Sequence, residues 1–430
     1  MKTSRFVSLI LACLVFLSIA SGCSKSTKVS VEHPKGLPKV ESTDETSEYL
    51  KSNYSAINPE KEDDFSDLSI LSNDLKDKEI FFTGEYHGFK ANEILNMKFL
   101  KYFKEKVDFQ YYLCELSYSD AYFLNKFLET GEVKILEDIY KPLKGTFVWN
   151  KDSYNHWKKL YEFNKTLPEP RKIKVVGIDI EHQPENALLY MTTVLPKKEA
   201  PDKIKSNIEG LKKLFQNISN QSHDKLINLC KKLKKDMEVQ TEVYKEYLGE
   251  DYFGFKLVND NILYTKEAYS AKENNFNKVR DKRIYENFEK VHDNLPKGKY
   301  YGQWGVNHIF QREQGDIKWV GAAMNEKGSR LEDKILSIVY MYEDCKQMSR
   351  TDNNKYTIND FNSNNSSIFD SFIEKNYTLF KLKGENSPFS KKLIWLTPDG
   401  NPTAGVTTDY YQYVVVIKDS QATEPINDEY

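Results

Sequence analysis

The feature that most constrains this chain is a repeated pairing of a short apolar run with a longer amphipathic stretch. Glu79–Thr83 reads as a buried strand, and Ala91–Lys106 follows with Ile94, Leu95, Met97, Phe99, Leu100 and Phe103 spaced for a helix. Phe109–Leu116 reads as a second strand before a helix around Ser119–Glu129. A helix over Tyr154–Asn164 precedes a third strand, Lys172–Ile180. Later strands are expected at Tyr300–Val306, Lys318–Ala323, Ile335–Tyr342, Leu393–Leu396 and Tyr411–Lys418, with a helix over about Asn277–His292. Strands that alternate with helices argue for an α/β domain around a largely parallel sheet. The expected class is therefore α/β: a largely parallel β-sheet flanked by helices. The charged stretch at about 201–275 carries Ile204, Ile208, Leu211, Leu214 and Phe215, then Leu226, Leu229 and Leu233. That spacing belongs to long amphipathic helices, and the stretch is read as a helical insertion lobe. The Asn- and Ser-rich segment Asn353–Ser367 is read as a loop.

The N-terminus constrains location. Lys2 and Arg5 precede the apolar run Phe6–Ala20, and Ala20-Ser21-Gly22 places small residues directly before Cys23. That order is a secretory signal, too short and wrongly flanked for an ordinary spanning helix. The cysteine after the small residues resembles the bacterial lipobox, with Ala20 standing where Leu is usual. Residues 1–22 are thus expected to be a lipoprotein signal peptide, with lipid on Cys23 holding the chain to the extracytoplasmic face of a membrane. From Ser24 to about Asp67 the composition shifts to Ser, Lys, Glu, Asp, Thr and Pro, so residues 23–67 are expected to be a flexible tether and 68–430 the folded body. Loss of Lys2 and Arg5 moves the formal net charge from −2 to about −4, which disfavours nucleic acid as a partner. Beyond Cys13 and Cys23, the scattered Cys114, Cys230 and Cys345 are neither a disulfide framework nor a zinc set, although one bridge is open to them.

The apolar runs end on ionisable residues. Glu85 and His87 follow Ile80-Phe81-Phe82-Thr83-Gly84, and Glu115 ends Tyr111-Tyr112-Leu113-Cys114. Asp179 ends Val175-Val176-Gly177-Ile178, and Asn307 and His308 follow Tyr300–Val306. Ligands of open α/β sheets bind at the carboxyl ends of the strands. One such residue is unremarkable: a histidine at a strand end is commonly a hydrogen-bonded structural group, and Glu115 could serve the next helix as a cap. Four strands ending this way point to a site. Histidine can serve as a general base near neutral pH, with a carboxylate to orient its ring, and Asn307 and His308 could hold substrate. The same residue types could bind a divalent metal, and spacing does not separate the two readings. Arg280, Arg283 and Asn287 sit at i, i+3 and i+7 of a helix, where two guanidiniums could meet a substrate anion or form an ordinary solvated face. His182 follows Asp179 closely enough to line the same cleft.

Several of these segments resemble one family. Gly84-Glu85-Tyr86-His87-Gly88 resembles the G-E-x-x-H-G segment of the erythromycin esterase family, shortened by one residue between Glu and His. Leu113-Cys114-Glu115 is similar to its second-strand glutamate, and Val175–Ile180 to its G-x-D strand. Arg280, Asp281, Arg283 and Asn287 resemble its Arg/Asn-bearing helix, and Gly305-Val306-Asn307-His308 its N-x-H segment. The likeness runs from about Glu79 to Asp419. It implies an α/β core with a helical insertion and a histidine-activated water attacking an ester of a small molecule. His87 would be the general base, with Glu85, Glu115 and His308 in support and Asp179, Arg280, Arg283 and Asn307 toward the substrate. No cofactor is implied by that reading. More distantly the family resembles haem-uptake ChaN-type proteins, whose G-E-x-H element matches the Glu85-Tyr86-His87 spacing. That second likeness implies a non-catalytic lipoprotein binding haem or a metal, with Tyr86 or His87 at the ligand.

Overall fold

The computed structural model describes residues 42–217, 223–272, 275–350, 355–363, 367–398 and 402–426. The signal segment, Cys13 and Cys23 lie outside them. Along the chain run α1 (Asp44–Leu50), β1 (Tyr54–Ala56), β2 (Ile80–Glu85), α2 (Lys90–Val107), β3 (Tyr111–Ser117), α3 (Tyr118–Thr130), α4 (Val133–Tyr140) and α5 (Lys151–Thr166). Then come β4 (Lys174–Asp179), α6 (Pro184–Thr193), α7 (Asp202–Gln216), α8 (His223–Val239), α9 (Thr241–Leu248), α10 (Tyr252–Tyr269) and α11 (Phe276–Asn294). The chain closes with β5 (Tyr300–Gly305), α12 (Val320–Met324), β6 (Ile335–Glu343), β7 (Cys345–Arg350), β8 (Tyr356–Phe361), β9 (Tyr377–Lys381) and β10 (Tyr413–Lys418).

Two compact units share these elements. The sheet unit is Ser30–Glu115, Leu124–Val176 and Phe288–Tyr430, and the helical unit includes Leu116–Phe123 and Gly177–Asn287. Eight strands form one sheet in the order β1-β9-β10-β6-β2-β5-β3-β4. β2 runs parallel to both β5 and β6, β3 parallel to β5, and β10 parallel to β6, while β9 is antiparallel to β1 and β10. The class is α/β with a largely parallel sheet and a helical lobe, as the apolar runs imply. β2 and β10 are buried along nearly their whole length, which is why Ile80-Phe81-Phe82 and Val414-Val415-Val416-Ile417 show no polar alternation. α2 stops at Asp108, whose left-handed φ of 47° ends the helix, and Lys104 and Lys106 complement its carboxyl end. In the helical unit α7 buries Ile204, Ile208 and Leu211, while α8 buries Leu226, Cys230, Leu233 and Met237, the facing stripes of packed helices.

The structure corrects four expectations. Residues 42–67 are not a tether: they carry α1 and β1, and Leu50 and Ile57 are buried. β1 pairs with β9, and residues 58–67 are held by Lys98 of α2, whose side chain is 1 % exposed and pairs with Asp67 at 2.8 Å. Its ammonium also donates to the carbonyls of Asn58 (2.8 Å), Lys61 (3.0 Å) and Asp64 (3.0 Å), tying this segment down. Lys318–Ala323 is not a strand, since Val320–Met324 forms α12. Leu393–Leu396 joins no strand ladder. The segment read as a loop over 353–367 contains β8, which pairs antiparallel with β7 as a separate hairpin. Cys114, Cys230 and Cys345 are buried free thiols.

Candidate active site

Three sheet strands deliver the ionisable side chains. β2 ends at Glu85, and the chain then turns through Gly88, where φ is +95°. A Cβ on Gly88 would lie 2.3 Å from the Met348 carbonyl oxygen, so both the dihedral and the close approach of β7 require glycine. Met348 and Thr423 each donate their backbone N–H to the Gly88 carbonyl at 3.0 Å, and the Gln347 amide donates to the His87 carbonyl at 2.8 Å. Held this way, His87 folds back on Glu85, and its Nδ1 lies 2.5 Å from Glu85 Oε1. Glu85 is buried, whereas the His87 side chain is 39 % exposed, so the ring joins a buried carboxylate to the surface. Phe147, on the loop between α4 and α5, lies beside it with ring centroids 5.5 Å apart.

A second histidine–carboxylate pair stands next to the first. Glu115 accepts the Gly305 N–H on Oε2 at 2.8 Å, and its Oε1 lies 3.4 Å from His308 Nε2. His308 is buried between Trp304 and Trp319, both edge-on, with centroids 5.8 and 5.1 Å away. Gly305 locates the convergence. A Cβ built there would meet Glu115 Oε2 at 3.4 Å, His308 Cδ2 at 3.5 Å and His87 Cε1 at 3.8 Å. One point in space is therefore within 4 Å of His87, Glu115 and His308, and Glu85 is hydrogen-bonded to the first of them. All four residues belong to the sheet unit. Among the described residues, no group of three or more His, Cys, Asp or Glu side chains is placed to hold a metal ion.

The other residues singled out by sequence are placed differently. Asp179 and Arg280 lie in the helical unit and form a buried pair: the guanidinium donates Nε to Oδ1 at 3.0 Å and Nη2 to Oδ2 at 2.5 Å. His182 Nε2 is 3.3 Å from the same carboxylate. Burial alone would raise the Asp179 carboxyl, but Arg280 and His182 hold it far below the usual carboxylate range. Arg283 lies over the Tyr264 ring and pairs with Glu267 at 2.7 Å and Glu286 at 2.6 Å, so it has the partners of a charged helix face. Asn307 is half-buried beside His308, and its Oδ1 has no hydrogen-bond partner among the described residues. Tyr86 keeps its hydroxyl oxygen buried, its ring against Tyr342 and Phe361, so it presents no ligand atom to a haem iron.

Sequence reasoning missed Asn92, Gly305, Phe147 and Tyr342. Asn92 carries a legible signal: with Asn96 it is an amide among the mainly apolar buried residues of α2, where a polar group implies a partner. Two further polar networks surround buried carboxyls. In the sheet unit, burial pushes Glu93 up to about 7 while Ser153 donates to it at 2.6 Å, and burial pushes His156 down to about 3. In the helical unit, burial and then the charge of Asp120 push Glu181 up to about 8, with the Ser119 hydroxyl 2.5 Å away.

Comparison with protein-family models gave no match, and no curated protein matched the sequence. The fold has solved counterparts. A crystal structure of a Bacillus cereus protein matches at TM-score 0.63 with 17 % identity, covering 89 % of this chain and 98 % of its own. A structure described as a succinoglycan biosynthesis protein matches at TM-score 0.66 and 15 % identity, with 89 % and 98 % covered. A histidine-to-asparagine mutant of the erythromycin esterase EreC, in its open conformation, matches at TM-score 0.65 and 14 % identity, with 87 % and 99 % covered. The haem-binding ChaN of Campylobacter jejuni matches at a TM-score of only 0.31, which supports no conclusion. The chain therefore has the erythromycin esterase-like fold over nearly its whole length.

Proposed function

We propose that this chain is a hydrolase of the erythromycin esterase type, cleaving an ester of a small molecule with a water activated by His87. The observation that carries the proposal is the convergence of two histidine–carboxylate pairs, Glu85–His87 and Glu115–His308, around Gly305. With Glu85 accepting from Nδ1, a neutral His87 carries its proton there and keeps a lone pair on Nε2. Nε2 takes a proton from water as the water oxygen attacks the ester carbonyl, and Glu85 stabilises the imidazolium that forms. The same proton passes to the departing alkoxide when the tetrahedral adduct collapses, giving acid and alcohol. His308, facing Glu115 through Nε2, holds the ester beside His87, and Asn307 Oδ1, without a partner among the described residues, accepts from a substrate donor.

The Lys2–Cys23 segment supports an extracytoplasmic setting, with lipid on Cys23 as the membrane anchor, so the substrate is to be sought in the cell envelope or beyond. The test is hydrolysis of a panel of small-molecule esters by the purified chain, His87→Ala and His308→Ala. Turnover by the parent that falls by about 100-fold or more in each variant supports the proposal. Equal rates in all three would sink it. Metabolic labelling with a fatty acid, lost on Cys23→Ser, tests the anchor separately.

A further inference from the structure

We infer that Asn92 and Tyr342 are positioning residues of this site: a hydrogen-bond relay from the Tyr342 hydroxyl through the Asn92 amide to Glu85 fixes the tautomer and ring angle of His87. The inference deepens the hydrolase reading, but depends on it only for the consequence in rate, since the tautomer belongs to the unliganded chain.

The relay is fixed by donor and acceptor arithmetic. The Tyr342 oxygen is 2.6 Å from Asn92 Oδ1, an atom that can only accept, so the hydroxyl must donate there. That orients the amide. Its Nδ2 then donates to Glu85 Oε2 at 2.5 Å and to the Tyr86 carbonyl at 2.8 Å, which uses both hydrogens. The Tyr342 oxygen in turn accepts the Tyr86 N–H at 3.3 Å. An amide turned by half a revolution would set Oδ1 against a carboxylate and a carbonyl, three acceptors with no hydrogen among them. With Oε2 committed to Asn92, Oε1 is left to face His87 Nδ1 at 2.5 Å. Asn92 and Tyr342 are buried, so water cannot replace either partner freely. Burial pushes the Tyr342 hydroxyl well above its ordinary range, so it stays protonated and keeps donating.

The strand alone does not place the ring. Glu85 and His87 are separated by one residue, and β2 ends at Glu85. The strand therefore does not hold His87 in place. Instead β6 supplies Tyr342, while β7 grips the backbone through Gln347 and Met348.

The experiment is nitrogen NMR of the full chain labelled in its histidine rings. The His87 signals are assigned by their loss in His87→Gln. The parent is expected to show one neutral tautomer, protonated at Nδ1. Tyr342→Phe and Asn92→Ala are expected to show both nitrogens averaging between protonated and free. With an ester the parent hydrolyses, kcat falls by about 10- to 100-fold and KM by little, a part of the roughly 10²–10⁴-fold available from a general base. Phe361→Leu is the packing control: it alters the ring contacts of Tyr86, Phe89 and Tyr342 but removes none of the relay's hydrogen bonds, and the tautomer should not change. A single Nδ1–H tautomer persisting in Tyr342→Phe overturns the inference, and so does an equal change in Phe361→Leu. If Asn92→Ala does not fold, Tyr342→Phe, which loses one oxygen, decides the matter alone. Mixed tautomers in a chain whose parent hydrolyses no ester would uphold the relay and remove the hydrolase reading.

Discussion

Glu181 makes stability depend on pH in a direction that can be worked out. Its carboxyl is buried in the helical unit, accepting the Ser119 N–H at 3.3 Å and meeting the Ser119 hydroxyl at 2.5 Å. Asp120 is close by, held by Ser117 and Asn186 at 2.7 Å each. Burial, followed by the charge of Asp120, raises Glu181 from an ordinary value of 4.5 to about 8. From about pH 4.5 to about pH 8 the folded chain therefore holds a proton that the unfolded chain has released. The stabilising proton is fully in place below the unfolded value and is lost as pH rises through the folded one, at about 1.4 kcal/mol per pH unit and about 5 kcal/mol in all. Glu181→Gln keeps the shape and both hydrogen bonds to Ser119 but cannot titrate. Urea unfolding of the parent and the variant, run in parallel from pH 5 to pH 9, should show the stability difference moving in favour of Gln by about 4 kcal/mol. A difference that stays constant with pH refutes the reasoning.

Other consequences follow from single contacts. Asp179→Asn removes the carboxylate that pairs with buried Arg280 and should cost about 3–5 kcal/mol in urea unfolding, and Arg280→Met should cost less, because His182 still faces the Asp179 carboxylate. Lys98→Met removes the cation that ties Asn58, Lys61, Asp64 and Asp67 together, so limited proteolysis should cut within 58–67 in the variant and spare the parent. Gly177→Ala would place a Cβ 2.0 Å from the Ser117 carbonyl oxygen within the helical unit, and should lower the yield of folded chain sharply.

How far the sequence could be read depended on whether burial left a pattern. β2, β3, β4, β5, β6 and β10 are legible because burial makes them continuous apolar runs, and α2, α5, α7, α8 and α11 because one face is apolar. Val320–Met324 was open to misreading, since five buried apolar residues have no period to separate strand from helix. β8 buries none of its residues fully and lies among asparagines, so it carries neither signal. The order of residues 42–67 rests on the pairing of β1 with the distant β9 and, over 58–67, on Lys98, a charge whose burial nothing in its helical position announces. In the site, Glu85, His87, Glu115 and His308 could be found because each lies near or just past the carboxyl end of a buried strand. Asn92 and Tyr342 act through hydrogen bonds between distant parts of the chain, and Gly305 matters for the side chain it lacks.

If the two histidine–carboxylate pairs act as one site, removing one leaves little for the other to do. A kinetic cycle on a hydrolysed ester, comparing the parent, His87→Ala, His308→Ala and the double variant, tests it most directly. Groups that act as a unit are strongly non-additive, so the double variant should be scarcely slower than the worse single one. Losses that multiply in the double variant would place His87 and His308 in independent roles and contradict the account.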